Sequence, residues 1–233
     1  MKQYQFSLIA VCTFLVISCS TLKNQTGHEP TGLERLQAGN ARFYSHHMKH
    51  PDQGLKRIET TASKQQPFAV VVTCSDSRVA PEILFDEGIG DLFVIRNAGN
   101  IVEEEDVLAS IEYAVVHLGV RTILIMGHEE CGAIQAMVGG NDHAGHHEPE
   151  HIEAILEKLR KEEEEQAVLH SPARGQELVR QCVVANVIHG VHAAEETLRS
   201  QGLAPKEGIS ILGAVYDIHT GQVRFLPAGQ RSY

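Results

Sequence analysis

Two short stretches carry residue types that can do chemistry together. The first is Cys74-Ser75-Asp76-Ser77-Arg78; the second is Gly127-His128-Glu129-Glu130-Cys131-Gly132-Ala133. Together they offer two thiols, one imidazole, and a carboxylate next to a guanidinium. Thiolate and imidazole donors suit zinc, with Zn–S near about 2.3 Å and Zn–N near about 2.0 Å. Cys-x-Asp sets two side chains on one side of extended backbone, and His-x-x-Cys across a turn lets both converge on one ion. Two plainer readings stay open at this point. The cysteines can be small buried hydrophobes, or all four groups can close a structural zinc.

Each motif directly follows an apolar run. Residues 68–73 (Phe68, Ala69, Val70, Val71, Val72, Thr73) and 122–126 (Thr122, Ile123, Leu124, Ile125, Met126) have the continuous character of buried parallel strands. Further strands are expected at 92–95 and 209–216, and a turn at 217–221 leads into a hairpin partner at 223–226. Apolar periodicity predicts helices over about 32–47, 107–118, 152–169 and 178–198, with Glu162–Glu165 read as a solvated face. Strands alternating with helices define an α/β fold: a mostly parallel central sheet flanked by helices, with an antiparallel edge strand and an N-terminal helical arm. Sites in such sheets lie at the carboxyl ends of strands, where both motifs fall.

The chain has 233 residues, 42% hydrophobic and 21% charged, with a formal charge of −10. That is ordinary globular composition. An acidic chain lacks the basic surface that general nucleic-acid binding requires, so no nucleic-acid partner is expected. No apolar run reaches the roughly 18 residues of a spanning helix, which excludes a polytopic membrane protein. Residues 1–18 read as a signal peptide, with Lys2 at its start and an apolar stretch from Phe6 to Ile17. Val16-Ile17-Ser18-Cys19 resembles the lipoprotein cleavage box, in which the cysteine is lipidated. Ser20 follows it, rather than the Asp that marks inner-membrane retention. Residues 19–31 form a polar tether, and 32–233 the domain. The chain is therefore expected to be exported to the periplasm and held at the outer membrane by lipid on Cys19 alone, with the cell surface as a further possibility. Of the remaining cysteines, Cys12 leaves with the signal and Cys182 sits in an apolar helical pattern, the setting of a buried hydrophobe.

Cys74 to Arg78, then Phe93-Val94-Ile95-Arg96-Asn97-Ala98-Gly99-Asn100, Ile111-Glu112-Tyr113-Ala114, and Gly127, His128, Cys131, Gly132 and Ala133, in this order, resemble the β-class carbonic anhydrases. The resemblance runs from about Leu33 to Leu226. It implies one Zn2+ per subunit on Cys74, His128 and Cys131, with solvent in the fourth place, and reversible hydration of carbon dioxide to bicarbonate and a proton by zinc-bound hydroxide. Asp76 pairs with Arg78 and, in a closed state of some members, becomes the fourth ligand. The resemblance assigns Gln65 to a substrate-orienting amide, Phe93, Ala98 and Tyr113 to apolar walls, Gly132 to a backbone donor, and His117 to a proposed proton-relay position. It also implies a homodimer or dimer of dimers, with the N-terminal helix embracing a partner and the cleft at the interface. Without it, Phe93 and Tyr113 read as core residues, Gln65 as surface, and His117 as a partly buried helix histidine.

The chain departs from the family pattern in three places. Glu129 and Glu130 stand where a small hydroxyl residue usually follows the zinc histidine, adding negative charge. The chain has no Trp, so the tryptophan-containing inhibitory bicarbonate pocket of some members is not expected in that form. The segment 141–151 carries four histidines among acids, read as a solvated loop with loose metal binding as the alternative. Two other functions remain open from the sequence. One is hydrolysis of carbon disulfide or carbonyl sulfide on the same fold; the other is a non-catalytic zinc-binding lipoprotein.

Overall fold

The structure is a computed structural model that describes residues 29–139, 148–203, 208–227 and 229. The expected signal peptide, Cys19, most of the tether and the histidines at 143, 146 and 147 lie outside the described residues. Among those described, no helix is long and apolar enough to cross a membrane.

Five strands form one sheet: β1 (Ala69–Cys74), β2 (Leu92–Asn97), β3 (Thr122–His128), β4 (Ser210–Tyr216) and β5 (Val223–Phe225), in the order β2-β1-β3-β4-β5. The first four are mutually parallel and β5 is antiparallel to β4. Every residue of β1 and β3 is buried. Strands covered on both faces must be apolar along their whole length, which is why 68–73 and 122–126 do not alternate.

The helices are α1 (Gly32–Tyr44), α2 (Leu55–Thr61), α3 (Pro81–Leu84), α4 (Glu105–His117), α5 (Gly132–Gly139), α6 (Glu150–Lys161), α7 (Glu163–Leu169) and α8 (Gly175–Ser200). α1 opens on a capping box in which Thr31 accepts from the Glu34 N–H and Glu34 reaches back to the Thr31 N–H. Its far end is fixed by Asn40, buried and fully bonded. The Asn40 amide donates to Leu84 O and Gly221 O and accepts from Val223 N. Gly39 lies so close to Phe85 that a Cβ there would sit 1.8 Å from the Phe85 carbonyl oxygen. The expected arm therefore packs on its own chain through Leu36, Leu84 and Phe85.

α8 backs the site. A Cβ on Gly127 would lie 2.8 Å from Val187 Cγ2, so only glycine lets β3 approach α8 this closely one residue before His128. Cys182 is fully buried on the same helix, and burial pushes its thiol up to about 12, as suits a small hydrophobe.

Three expectations need correction. The helix read as 152–169 is two, because Glu162 adopts extended backbone (φ −62, ψ 135) between α6 and α7. Glu162–Glu165 is not a solvated face: Glu162 is 4% exposed and Glu165 0%, folded beneath α8. The first helix stops at Tyr44, since His46 takes a positive φ of 59. The short helices α2, α3 and α5 had no periodic signal long enough to read.

The buried acids have a consequence for stability. Desolvation, with Glu164 nearby, holds the Glu165 carboxyl above its ordinary value, and desolvation with the charges of Glu165 and Glu103 does the same for Glu162 against the opposing pull of His189. A carboxyl raised in the folded state is harmless while protonated. It costs stability as pH rises above its unfolded value of 4.5 toward the raised one. Glu165→Gln should therefore melt above wild type at about pH 9, by about 2–4 °C per kcal/mol relieved. The gap should close toward acid pH in differential scanning calorimetry. A constant gap at all pH values would contradict the charge argument.

Candidate metal centre

The carboxyl ends of β1 and β3 bring the two motifs together. Cys74 is the last residue of β1 and His128 the last of β3, while Cys131 stands just before α5. The turn between them is made by Glu130 at φ 54, a left-handed residue that folds Cys131 back toward His128. The Cys74 and Cys131 sulfurs and a His128 nitrogen lie within 4.8 Å of one another, and all three residues are buried.

Each donor is prepared for a cation. His128 Nδ1 lies 2.9 Å from the Glu129 carbonyl oxygen, which can only accept, so Nδ1 carries the hydrogen and Nε2 the lone pair. Nε2 is buried and has no hydrogen-bond partner among the described residues. A buried acceptor left alone is expensive, and a metal ion is what satisfies it. The Asp76 N–H approaches Cys74 Sγ at 3.4 Å. A hydrogen bond from Cys131, with the Asp76 and Gly99 amides beside it, draws the Cys74 thiol down to about 4. The same shared hydrogen bond, with burial, drives Cys131 upward, against the pull of the Ala133 and Ile134 amides at the start of α5. The sulfurs thus share one proton where a divalent ion would hold both as thiolates. Two thiolates and one imidazole fit zinc.

Asp76 stands beside the cluster but is held by Arg78. The guanidinium donates to both carboxylate oxygens at 3.0 and 2.8 Å, and the Arg78 N–H adds a third bond at 2.9 Å. These bonds keep the carboxyl far below its usual range. Asp76 Oδ2 lies 3.9 Å from His128 Nε2, close to the cluster yet turned to the arginine.

Sequence reasoning missed two residues that hold this loop. Arg96 donates to Cys74 O at 3.2 Å and Asp76 O at 2.8 Å, tying the motif to β2. Buried Asn186 of α8 donates to Gly99 O at 2.7 Å. Arg96 belongs to the Phe93–Asn100 motif, but nothing in its spacing says which carbonyls it reaches. Glu130 is also not a bare charge beside the cluster. Its carboxylate meets His219 Nε2 at 3.0 Å.

The residues assigned to the substrate pocket separate into two groups. Ala98, in a 3-10 turn after β2, and Gly132 stand near the three donors. Phe93 and Tyr113 are neighbours, ring centroids 6.2 Å apart, and Gln65, Tyr113 and His117 line one depression. Phe93 pairs with Val70, four residues before Cys74, so this second group lies roughly 13 Å back along the strand. Phe93 is half-buried and Tyr113 exposed, so neither is the core residue that its type suggests.

The model of the carbonic anhydrase family matches residues 69–223, and the chain belongs to that family. It is 50% identical over 107 residues to a carbonic anhydrase of Mycolicibacterium smegmatis, covering 46% of this chain and 52% of that protein. It thus spans about half the length of that relative. A carbonic anhydrase of Pseudomonas aeruginosa is 36% identical over 185 residues, 76% of this chain and 80% of that one. Among solved structures, tetrameric β-carbonic anhydrases of Sordaria macrospora superpose with a TM-score of 0.63 at 26% identity, covering 81% of this chain and 91% of that one.

Cys74→Ser, Cys131→Ser and His128→Ala should each weaken zinc binding by more than about 100-fold, beyond what loss of a supporting hydrogen bond costs. Cys182→Ser should keep full zinc, because Cys182 is not part of the cluster. Metal analysis of purified variants, with circular dichroism to confirm folding, checks this. Zinc retained by a folded Cys74→Ser protein would contradict the assignment.

Proposed function

We propose that this chain catalyses the reversible hydration of carbon dioxide to bicarbonate and a proton at one Zn2+ held by Cys74, His128 and Cys131. The observation that carries the reading is the buried Cys-His-Cys cluster with a fourth potential ligand, Asp76, tied back by three bonds from Arg78. A zinc on these three ligands supplies a bound water whose pKa falls from about 15.7 toward about 7, a hydroxyl nucleophile near neutral pH.

The protein's own groups do the rest. His128 is oriented by its Nδ1–H bond to Glu129 O, so Nε2 faces the ion. Asp76, kept ionised by Arg78, is a permanent hydrogen-bond acceptor beside the three donors; it would accept a hydrogen bond from a hydroxide held there and so aim the oxygen lone pair at carbon, without taking the proton. Arg78 also keeps Asp76 off the ion. Ala98 and the Gly132 N–H border the place where substrate sits, apolar and small as carbon dioxide requires.

Gln65, Phe93 and Tyr113 serve a second copy of the chain. They cluster away from their own cysteines, and Tyr113 and Val116 expose apolar surface beside them, at 46% and 55%. A homodimer or dimer of dimers, in line with the tetrameric Sordaria proteins, lets this group face a partner's cluster. The chain is further proposed to be an exported lipoprotein anchored through Cys19. Cys19→Ala should move it from the membrane to the soluble fraction, and unchanged membrane fractionation would contradict the anchor.

Stopped-flow carbon dioxide hydration by the zinc-loaded chain tests the function, with carbonyl sulfide and carbon disulfide assayed alongside. Arg78→Ala should keep zinc and lose about 10–100-fold in rate, as a freed Asp76 competes for the metal. Asp76→Asn should keep zinc and lose a comparable amount. A zinc-loaded wild type inactive toward carbon dioxide but active on carbon disulfide or carbonyl sulfide would overturn the substrate assignment.

A further inference from the structure

Hydration of carbon dioxide leaves one proton behind on every turnover, and that proton must reach solvent. We propose that His219, positioned by Glu130, is the group that carries it from this chain's metal site to bulk buffer. The inference rests on the function proposed above.

The location follows from the fold. Tyr216 ends β4 in register with His128 at the end of β3, and the Glu129 N–H donates to Tyr216 O at 2.9 Å. The turn that follows β4 therefore lies against the metal loop. Asp217 shapes it, accepting from the His219 N–H at 2.8 Å and from the Thr220 hydroxyl at 2.7 Å. This fixes His219 opposite Glu130, with Nε2 3.0 Å from Glu130 Oε1. Glu130 is the residue before Cys131, and its charge also reaches Arg78, the partner of Asp76. Groups at hydrogen-bonding or Coulomb range thus run from Asp76 through Arg78 and Glu130 to His219.

The imidazole is arranged to exchange a proton outward. Glu130 accepts from Nε2–H, leaving Nδ1 with its lone pair and no hydrogen-bond partner among the described residues. The His219 side chain is 64% exposed and borders a cavity of about 440 Å3, lined also by Glu129, Gln135, Gln176 and Arg180. That volume admits water and a small buffer base. In each cycle Nδ1 takes the proton through solvent at the mouth of the site and gives it to a buffer base in the cavity. Glu130 keeps its hydrogen bond to Nε2 and so holds the ring in place. The charged groups facing His219 are Glu130, Asp217 and, across the cavity, Glu129 and Arg180, so acids outnumber the single cation, which itself pairs with Glu177. Imidazole is the side chain that changes charge in the neutral range where this transfer must run.

His117 is poorly placed for this task within its own chain. α4 returns from the carboxyl end of β2 to the amino end of β3, so His117, its last residue, lies at the opposite end of the strands, its ring 5.0 Å from that of Tyr113 and tilted by 39°.

The test uses zinc-loaded His219→Gln, which keeps a polar side chain but cannot relay a proton. In dilute buffer kcat should fall about tenfold, less than the loss of an obligatory acid–base group because solvent offers a slower route. Zinc content and kcat/KM, which report the chemistry before proton release, should not move, and added imidazole should restore kcat. Independently of activity, 15N NMR of the neutral His219 ring should report the Nε2-protonated tautomer in wild type, and Glu130→Gln should shift that signal. Unchanged kcat in dilute buffer, a parallel fall in kcat and kcat/KM without imidazole rescue, or an Nδ1-protonated ring would each overturn the relay. An inactive zinc-loaded wild type would overturn the proposed function and the relay with it.

Discussion

Two sulfurs and one imidazole nitrogen must be held within 4.8 Å of one another in a buried pocket. Unaided, that grouping is unfavourable: the thiols contend for one proton, and His128 Nε2 lies buried without a partner. The rest of the architecture answers this constraint. β1 and β3 are hydrogen-bonded neighbours, which fixes the spacing of Cys74 and His128, and Thr73 ties the strands again by donating its hydroxyl to Met126 O at 2.8 Å. α8 seals the rear, with Val183 and Val187 pressed on Gly127. Each such buried aliphatic side chain contributes about 1.5–3 kcal/mol, the kind of support a buried polar cluster needs.

The arginines solve a second problem. Asp76 is two residues from Cys74 and near the ion's place, so an unrestrained carboxylate would be a natural fourth ligand. Arg78 holds it by its side chain, and Arg96 holds the backbone on either side. A planar guanidinium with forked donors suits the first task in a way a lysine would not. The outcome is a carboxylate beside the three donors that Arg78 holds turned away from them.

Much of this was legible in the sequence. The continuous apolar runs before Cys74 and His128 identified the central strands, because burial on both faces leaves no alternation. The donors were legible because thiols and imidazole so placed have few other uses. What stayed hidden depends on tertiary contact. Glu162 and Glu165 look like a solvated run, yet the break after α6 turns them under α8. The pairing of Glu130 with His219 joins residues 89 positions apart, and no local pattern encodes it. Gln65, Phe93 and Tyr113 gather well away from their own Cys74, a placement that no local pattern encodes.

The central claim is that zinc is held by three side chains while Asp76 stays with Arg78. The most direct test is a crystal structure of the zinc-loaded protein near neutral pH, with anomalous diffraction at the zinc edge to locate the ion. The account predicts zinc on Cys74, His128 Nε2 and Cys131, a solvent oxygen as the fourth ligand, and Asp76 still bonded to both Arg78 nitrogens. Zinc enclosed by four protein side chains, or bound away from these three residues, would contradict it.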